Sequence, residues 1–370
     1  MNSFLEDTQP SLIRKMNRMA GPDTINLGLG QVDKSPSSNV REVGVEAIQQ
    51  EENYRYTPTS GFEDLRRTAA EDYNQRHGTS YDEDNILVTA GATPALSSAF
   101  VASLEKSQKV LAPEIGYPTY WLVPEMLSVE VERYSLSKDF TPEISDLEEK
   151  MEEGDILVLN SPSNPCGSVI SESKLRKICG TVKDKGGKII SDEVYEEIYF
   201  GKRVHSPNEY APESTITVTS LSKSGLMPGM RIGWVITQQE YMEEITKAHQ
   251  FLNSCVNSVA QKMAGEVVNQ DKSGVRDWLR KNRDLLTSEL SEAGFAHNPQ
   301  GALYSFVDIE DYGSSLEVAK RLLKEENVLT IPGKAFGRAG DSYLRISFGV
   351  QRDALREGAK RIRRFFEDAG

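Results

Sequence analysis

Six short apolar runs between residues 86 and 236 limit the possible folds more than any other feature of the sequence. The runs read ILVT, KVLA, ILVL, KIIS, TITVT and IGWVI, and they begin at residues 86, 109, 156, 188, 215 and 232. Short segments that are apolar on both faces are typical of strands buried in a parallel or mixed sheet. Between the first two runs, Leu96, Phe100 and Leu104 lie on one face of a predicted amphipathic helix. The middle of the chain is therefore predicted to be α/β.

A different pattern begins after the last of these runs. A long polar helix is predicted near residues 239–270, followed by a helix over 276–294 that Gly294 closes. The remaining sequence alternates strand-like runs with predicted helices around 316–325 and after Gln351. Such a mixture favours a smaller α+β domain. Because 370 residues exceed the size at which one hydrophobic core usually stops growing, we expect two packed domains.

Charge and cysteine content exclude several classes of function. The net charge of −13 and the pI of about 5.0 oppose binding to nucleic acid or to anionic lipid. The three cysteines, Cys166, Cys179 and Cys255, have no paired spacing, which argues against disulfides and cysteine-bound metal and favours a reducing compartment. The N-terminus has no secretory signal pattern, and no apolar run approaches the roughly 18 residues of a membrane span. We therefore expect a cytoplasmic protein without metal, membrane or nucleic-acid partners.

The lysine with the most informative neighbours is Lys223, which follows the apolar run at residues 215–219. At the edge of a sheet, partial burial disfavours the ammonium form, and the free amine can condense with an aldehyde. Ser220 and Ser222 offer hydroxyl groups to an anion, and Arg231 offers a planar fork that suits phosphate. A lysine taken alone would be an ordinary surface charge. Its neighbours favour a chemical role.

Polar side chains also follow two other predicted strands. Asp192 ends the run KIIS, with Tyr195 three residues later, and Asn164 lies in the turn NSPSNPCG after the run ILVL. Ligands bind outside the carboxyl ends of strands in open α/β sheets. A buried carboxylate there can hold a proton on a pyridine nitrogen, and an amide can donate to a ring hydroxyl. The alternatives are an N-cap for Asp192 and an ordinary turn for Asn164.

Three further segments each allow a binding role and a structural one. Residues 91–93 lie where a strand turns into a helix, whose positive end can bind an anion, and N-capping by Thr93 is the alternative. Tyr117 follows the run KVLA and can stack on a flat ring, although aromatic residues in such turns usually pack against the loop. Arg345 interrupts the strand-like run YLRISF, and a buried arginine needs a carboxylate or phosphate partner. That partner is either a protein side chain or a ligand.

Taken together and in this order, these segments resemble the class I/II aminotransferases, fold-type I pyridoxal-phosphate enzymes with the aspartate aminotransferase fold. The resemblance extends from INLGLG at residue 25 to YLRISF at residue 348 and rests on the combination of the strand-end motifs. It implies an α/β fold, with a mostly parallel, helix-flanked sheet in a large domain and a smaller α+β domain built from both chain ends. The implied division is residues 1–45, which join the small domain, 46–274 for the large cofactor-binding domain and 275–370 for the small one.

The resemblance also implies roles for the candidate residues. Lys223 would form a Schiff base with pyridoxal 5′-phosphate, Asp192 would pair with the pyridine nitrogen, and Tyr195 would hydrogen-bond the phenolic oxygen together with Asn164. The remaining cofactor contacts would come from Ala92, Thr93, Tyr117, Ser220, Ser222 and Arg231, and from Tyr56 of the second subunit of a homodimer. The substrate contacts would come from Gly30, Asn164 and Arg345. The implied reaction is transfer of an α-amino group between an L-amino acid and a 2-oxo acid.

Three positions depart from the family pattern. Cys166 stands in NPCG where NPTG is common, Val32 replaces a usual proline, and Lys334 stands in PGKAFG where a small serine is frequent. None of these changes removes a predicted catalytic group. Val32 and Lys334 are expected near the substrate entrance, so the sequence leaves the substrate unspecified.

Two alternatives to transamination stay open. A carbon–sulfur β-lyase of the same fold would carry the same cofactor motifs, since the same α-carbanion can expel a β-leaving group. A non-catalytic sensor module, of the kind found in some transcription regulators, is disfavoured. In this chain the match begins within the first few tens of residues, and no basic winged-helix segment precedes it.

Overall fold

The computed structural model describes Phe4 and residues 10–369, apart from residues 106 and 296. The helices of this part of the chain are α1 (Leu12–Arg18), α2 (Ser38–Gln49), α3 (Glu63–His77), α4 (Ala92–Ser103), α5 (Thr119–Met126), α6 (Ile144–Lys150), α7 (Glu172–Asp184), α8 (Gln239–Asn253), α9 (Ser258–Val268), α10 (Ser273–Glu292), α11 (Ser315–Glu326) and α12 (Arg352–Ala369). The strands are β1 (Ile25–Asn26), β2 (Ile86–Thr89), β3 (Lys109–Pro113), β4 (Glu130–Tyr134), β5 (Ile156–Asn160), β6 (Lys188–Asp192), β7 (Thr215–Ser220), β8 (Gly233–Ile236), β9 (Tyr304–Asp308), β10 (Val328–Leu329), β11 (Ile331–Pro332) and β12 (Tyr343–Ser347).

A seven-stranded sheet forms the centre of the fold, in the order β2-β8-β7-β6-β5-β3-β4. Every neighbouring pair is parallel except the two pairs made by β8. Its apolar strands are buried on both faces, which is why the six runs could be recognised as strands. The predicted α/β fold with a mostly parallel, helix-flanked sheet is thus confirmed.

The antiparallel strand β8 determines where Lys223 lies. The chain leaves β7 at Ser220 and returns in β8 from Gly233, which pairs with Ser220 itself. The loop of residues 221–232 therefore turns back at the carboxyl end of β7. Because β5, β6 and β7 are parallel, their carboxyl ends lie at the same edge, where Asn160 is opposite Asp192. Lys223 is thus brought to the edge that also carries the ends of β5 and β6.

The two ends of the described chain meet in a second, smaller region. Strand β1 pairs in parallel with β10, and β9, β11 and β12 form a three-stranded antiparallel sheet. One buried cluster contains Met16 and Leu27 from the N-terminal part together with Leu355 and Ile362 from α12. This agrees with an α+β region built from both chain ends. The division at residues 45 and 274 stays a prediction.

Two predicted helices differ from those observed. The polar helix predicted over 239–270 is two helices, α8 and α9, separated at Ser254, which has a φ of 67°. Asn257 then caps α9, because its side-chain oxygen accepts a hydrogen bond of 2.9 Å from the backbone N–H of Ala260. The helix predicted over 276–294 begins earlier, at Ser273, and ends at Glu292. Gly294, with a φ of 87°, follows its end as expected.

Two further features of the described residues concern membrane-spanning helices and the state of the cysteines. None of their helices is long and apolar enough to cross a lipid bilayer. Cys166, Cys179 and Cys255 are all free thiols, and the first two are buried.

Candidate active site

A cavity of about 420 Å³ opens at the carboxyl edge of the central sheet. Every predicted site residue except Tyr56 contributes to its lining, namely Gly30, Ala92, Thr93, Tyr117, Asn164, Asp192, Tyr195, Ser220, Ser222, Lys223, Arg231 and Arg345. Tyr56 lies elsewhere on this chain, and its side chain is 91% exposed. The fold therefore brings together side chains that are far apart in sequence.

The amine of Lys223 lies inside this cavity. Its Nζ donates a hydrogen bond to the carbonyl of Gly30 and lies 5.3 Å from the centre of the Tyr195 ring. A Cβ atom on Gly30 would lie 2.6 Å from the hydroxyl of Tyr304 and 3.8 Å from the Lys223 amine. A side chain at position 30 would thus displace the groups around the amine, which explains why glycine fits here.

Asp192 ends β6 and is almost fully buried. Its Oδ2 accepts a hydrogen bond of 2.7 Å from the Tyr120 hydroxyl, and its Oδ1 accepts one of 3.3 Å from the backbone of Val194. Burial raises the pKa of Asp192 to about 6, although these hydrogen bonds and the charge of Lys223 oppose the shift. A carboxyl group with this pKa can accept or share a proton with a ring nitrogen near neutral pH.

Two tyrosines meet beside the lysine. The hydroxyls of Tyr195 and Tyr304 are 2.8 Å apart, and both rings are buried. Burial raises the pKa of Tyr195 well above its usual value. Burial also acts to raise the pKa of Tyr304, but the cations of Lys223 and Arg345 and the hydrogen bond from Tyr195 outweigh it, so the pKa is lowered. The pair therefore provides hydroxyl donors that differ in acidity.

Arg345 is a buried guanidinium without an acidic partner among the described residues. Its Nη1 donates to the Asn164 side-chain oxygen at 3.0 Å, and its Nη2 donates to the Gly28 carbonyl at 2.7 Å. Its Nε has no hydrogen-bond partner. The rings of Tyr304 and Phe336 lie 4.3 and 4.8 Å from the guanidinium carbon. A buried cation with free hydrogen-bonding capacity is suited to a carboxylate ligand.

Another part of the cavity lining forms an anion cradle. Helix α4 begins at Ala92, so its N-terminal backbone N–H groups and its positive end face this region. Arg231 donates to the carbonyls of Pro228 and Ala90 at 3.0 and 3.2 Å. A Cβ atom at Gly91 would lie 2.5 Å from the guanidinium, so the close approach requires glycine. With Ser220 and Ser222 in the same lining, this group of donors fits a phosphate.

Several lining residues were not predicted from the sequence. Tyr120 follows Tyr117 by three residues, and their ring centres are 5.9 Å apart in an edge-on arrangement. The spacing of the two tyrosines is a signal that would have indicated a shared face. Tyr304 opens β9 and Arg14 lies on α1, and neither has a local sequence pattern that points to the cavity.

The three departures from the family pattern lie outside the cavity lining. Val32 and Cys166 are buried in the core shared by the two ends of the chain. Lys334 forms an ion pair of 3.0 Å with Asp341. Val32 and Lys334 do not line the cavity, and their expected place near the substrate entrance stays a prediction.

Known proteins resemble this chain over nearly its whole length. A family model described as aminotransferase class I and II matches residues 22–362. A probable aspartate aminotransferase of Methanocaldococcus jannaschii is 29% identical, with 99% of this chain and 100% of that protein covered. A probable aspartate/prephenate aminotransferase of Aquifex aeolicus is 33% identical, with 95% and 93% covered. The structure of a Thermus thermophilus aspartate aminotransferase with maleate superposes with a TM-score of 0.92 at 26% identity, with 98% and 99% covered.

These matches favour an aminotransferase over a carbon–sulfur β-lyase on the same fold. The structural match also agrees with the α/β fold of the chain. The chain belongs to the class I and II aminotransferase family.

Proposed function

We propose that this aminotransferase uses pyridoxal 5′-phosphate, held in the cavity and attached to Lys223, to exchange an amino group between an L-amino acid and a 2-oxo acid. The observation that carries the proposal is that the amine of Lys223, the buried carboxyl of Asp192 and the unpaired guanidinium of Arg345 line one cavity. The cofactor supplies an aldehyde and an electron-withdrawing ring.

The residues present fit this cofactor. The cradle of Ala92, Thr93, Ser220, Ser222 and Arg231 offers hydrogen-bond donors and positive charge to a phosphate. Asp192 suits a protonated ring nitrogen because it is a buried carboxyl group whose pKa, raised by burial to about 6, still lies below neutral pH. The side-chain N–H groups of Asn164 remain available to a ring oxygen, because the Asn164 oxygen already accepts from Arg345. The Tyr195 hydroxyl would become a second donor by turning from Tyr304, 2.8 Å away, towards the ring oxygen.

Residues of this chain then bind the substrate and transfer the proton. Arg345 binds the substrate carboxylate through its planar fork and thereby orients the α-carbon. The Lys223 amine, once released, removes the α-proton and returns it to a neighbouring carbon. Glycine at position 30 leaves space for this amine to move, because a Cβ atom added there would lie 3.8 Å from Nζ. The buried tyrosines limit the access of water to the reacting atoms.

We infer that the substrates include dicarboxylic amino acids. The relatives are named as aspartate and aspartate/prephenate aminotransferases, and the Thermus structure contains maleate, a dicarboxylate. Arg14 is a second arginine in the cavity lining, on α1, and it offers a cation to a side-chain carboxylate.

A panel of amino acids tests this inference, with conversion of the bound cofactor to its amine form followed by absorbance. Arg14→Ala should lower kcat/KM for aspartate and glutamate about tenfold and leave alanine unchanged, since one charged hydrogen bond is lost. Lys15→Ala is the matched control, because Lys15 is an exposed cation next in sequence that does not line the cavity. An equal loss for alanine would contradict the assignment. Turnover without any 2-oxo acid would instead indicate a lyase.

We also propose that the enzyme is a homodimer in which Tyr56 reaches the cavity of the other subunit. Tyr56 and Phe251 are 91% and 88% exposed, and Ile48 on α2 is also exposed. Hydrogen bonds join residues 53–57 to residues 256–258, so the segment that carries Tyr56 lies beside the chain that follows the helix of Phe251. Clustered exposed apolar side chains are characteristic of an interface.

Mixing a Tyr56→Ala variant with a Lys223→Ala variant tests the shared site. Hybrid dimers contain one cavity with both native residues, so part of the activity should return. If subunits exchange, as measured by mass spectrometry, and no activity returns, Tyr56 does not serve the neighbouring site.

We place the enzyme in the cytoplasm. The free thiols of Cys166, Cys179 and Cys255 support a reducing compartment, and the acidic net charge gives no reason to expect membrane or nucleic-acid binding. Fractionation of cells with an antibody against the chain tests this placement.

A further inference from the structure

The turn that follows β6 has two chemically different faces. Asp192 and Tyr195 line the cavity, whereas Glu193, Glu196 and Glu197 lie against a polar cluster behind it. Hydrogen bonds within residues 193–198 hold the turn together. One short segment therefore connects the cavity to a group of buried acidic side chains.

Glu197 is the member of this group that contacts the lysine loop, which is the loop of residues 221–232 that carries Lys223. Its Oε2 accepts a hydrogen bond of 2.6 Å from the hydroxyl of Ser224, the residue directly after Lys223. Its Oε1 forms an ion pair of 3.0 Å with Lys272, which also donates to the Val268 carbonyl at 2.8 Å. Ser224 and Lys272 are buried, so water competes little for these contacts.

The lysine loop is compact around Ser224. The backbone of Leu226 donates to the Lys223 carbonyl at 3.2 Å, and that of Met227 donates to the Leu221 carbonyl at 3.0 Å. A Cβ atom at Gly225 would lie 2.8 Å from the Leu221 carbonyl oxygen, so the turn admits no side chain there. In such a tight turn, fixing the Ser224 side chain also fixes the position of its neighbour Lys223.

We propose that Glu197 is a positioning residue. It acts through Ser224 to hold Lys223 at the position in the cavity that proton transfer requires. Its carboxyl group joins the loop that carries Lys223 to the turn that carries Asp192 and Tyr195, and the ion pair with Lys272 orients it. The two sides of the reaction centre are thereby held at a constant separation. This inference rests on the proposed function for its chemical consequence, but the connection between the two loops exists without the cofactor.

Glu196 provides a matched control in the same turn. Its side chain is 6% exposed, against 20% for Glu197, and it is also paired with cations, namely Arg76 and His77, the latter at 2.5 Å. Among the described residues, it makes no hydrogen bond or ion pair with residues 221–232. If these acids contributed only to the stability of the fold, Glu196→Gln would change hydrogen exchange and kinetics in the same way as Glu197→Gln.

Hydrogen exchange of the protein without cofactor tests the connection directly. In Glu197→Gln and in Ser224→Ala, the amides of residues 221–227 should exchange about tenfold faster, since the hydrogen bond loses its charge in the first variant and is absent from the second. The double variant should be no faster than Ser224→Ala alone, because both changes act on the same bond. Ser224→Thr keeps the hydroxyl and should restore the wild-type rate. Glu196→Gln should lower the unfolding midpoint without a selective increase in this segment.

Kinetics with the cofactor test the consequence. Glu197→Gln and Ser224→Ala should each lower kcat about tenfold while KM for the 2-oxo acid stays unchanged, since lysine placement alters proton transfer and not substrate binding. Effects of Glu197→Gln equal to those of Glu196→Gln, or additive with those of Ser224→Ala, would overturn the inference. If borohydride fails to link the cofactor to wild-type Lys223, the proposed function fails, whereas the exchange comparison still decides whether Glu197 holds the loop.

Discussion

Two charged regions flank the turn of residues 193–197, and they differ in whether their cations have acidic partners. In the cluster behind the cavity, Arg76, His77 and Lys272 are each paired with a glutamate. In the cavity, Arg345 and Arg231 have no acidic partner among the described residues, although Arg345 is buried. An unpaired buried charge costs free energy, whereas a paired one contributes to a fixed geometry. The comparison indicates that the cavity retains charge for a ligand and that the cluster uses charge to hold the structure.

The largest effect should come from weakening the unpaired arginine. Arg345→Lys keeps the positive charge but removes the planar fork, so kcat/KM for both amino acid and 2-oxo acid should fall about 10²-fold to 10³-fold. Steady-state kinetics measure this loss. Arg338→Lys, at an exposed arginine in the same part of the chain, is the control and should be unchanged. Wild-type kinetics in Arg345→Lys would remove the distinction between the two regions.

The free energy of unfolding should depend more on Arg76, in the cluster, than on Arg345, in the cavity. Without ligands, Arg76→Met should lower it by about 2 kcal/mol, because Glu196 stays buried with only His77 as a partner. Arg345→Met should lower it by less than about 1 kcal/mol, because no buried acid is left behind and only neutral acceptors lose a donor. Urea denaturation measures both values. A larger loss for Arg345→Met would mean that Arg345 is a structural residue.

The smallest effect concerns the pH dependence of stability. Burial opposes a charge on His77, but Glu196 and Glu209 outweigh it and raise its pKa from 6.5 to about 10. Because the folded pKa is above the unfolded one, the contribution is complete below pH 6.5 and is lost as pH rises towards about 10. From about pH 6.5 to about pH 7.5, wild-type unfolding free energy should thus fall by about 1 kcal/mol more than that of His77→Gln. Parallel curves would show that His77 is neutral in the cluster.

The sequence was informative where local pattern decides structure. The six apolar runs became strands because they are buried on both faces, and Lys223, Asp192 and Asn164 could be recognised because polar residues follow such runs directly. Strand β4 was not predicted. Its sequence, EVERY, is polar and only its last residue is buried, since it lies at the edge of the sheet beside β3 alone.

Other features depend on contacts between distant parts of the chain. Tyr304 enters the site through its hydroxyl contact with Tyr195 and its ring under Arg345, and neither contact has a local signature. The break between α8 and α9 depends on a single asparagine cap within an otherwise helical polar pattern. The role of Glu197 depends on Ser224 and Lys272, which come together only in the folded chain.

The most direct test concerns Lys223 itself. The purified protein is incubated with pyridoxal 5′-phosphate, reduced with borohydride, digested and mapped by mass spectrometry. We predict a single phosphopyridoxyl adduct on Lys223, and we predict that Lys223→Ala still binds the cofactor but gives no adduct and loses kcat about 10⁴-fold. An adduct on another lysine, or a protein that does not bind the cofactor at all, would contradict the assignment of this cavity as the active site.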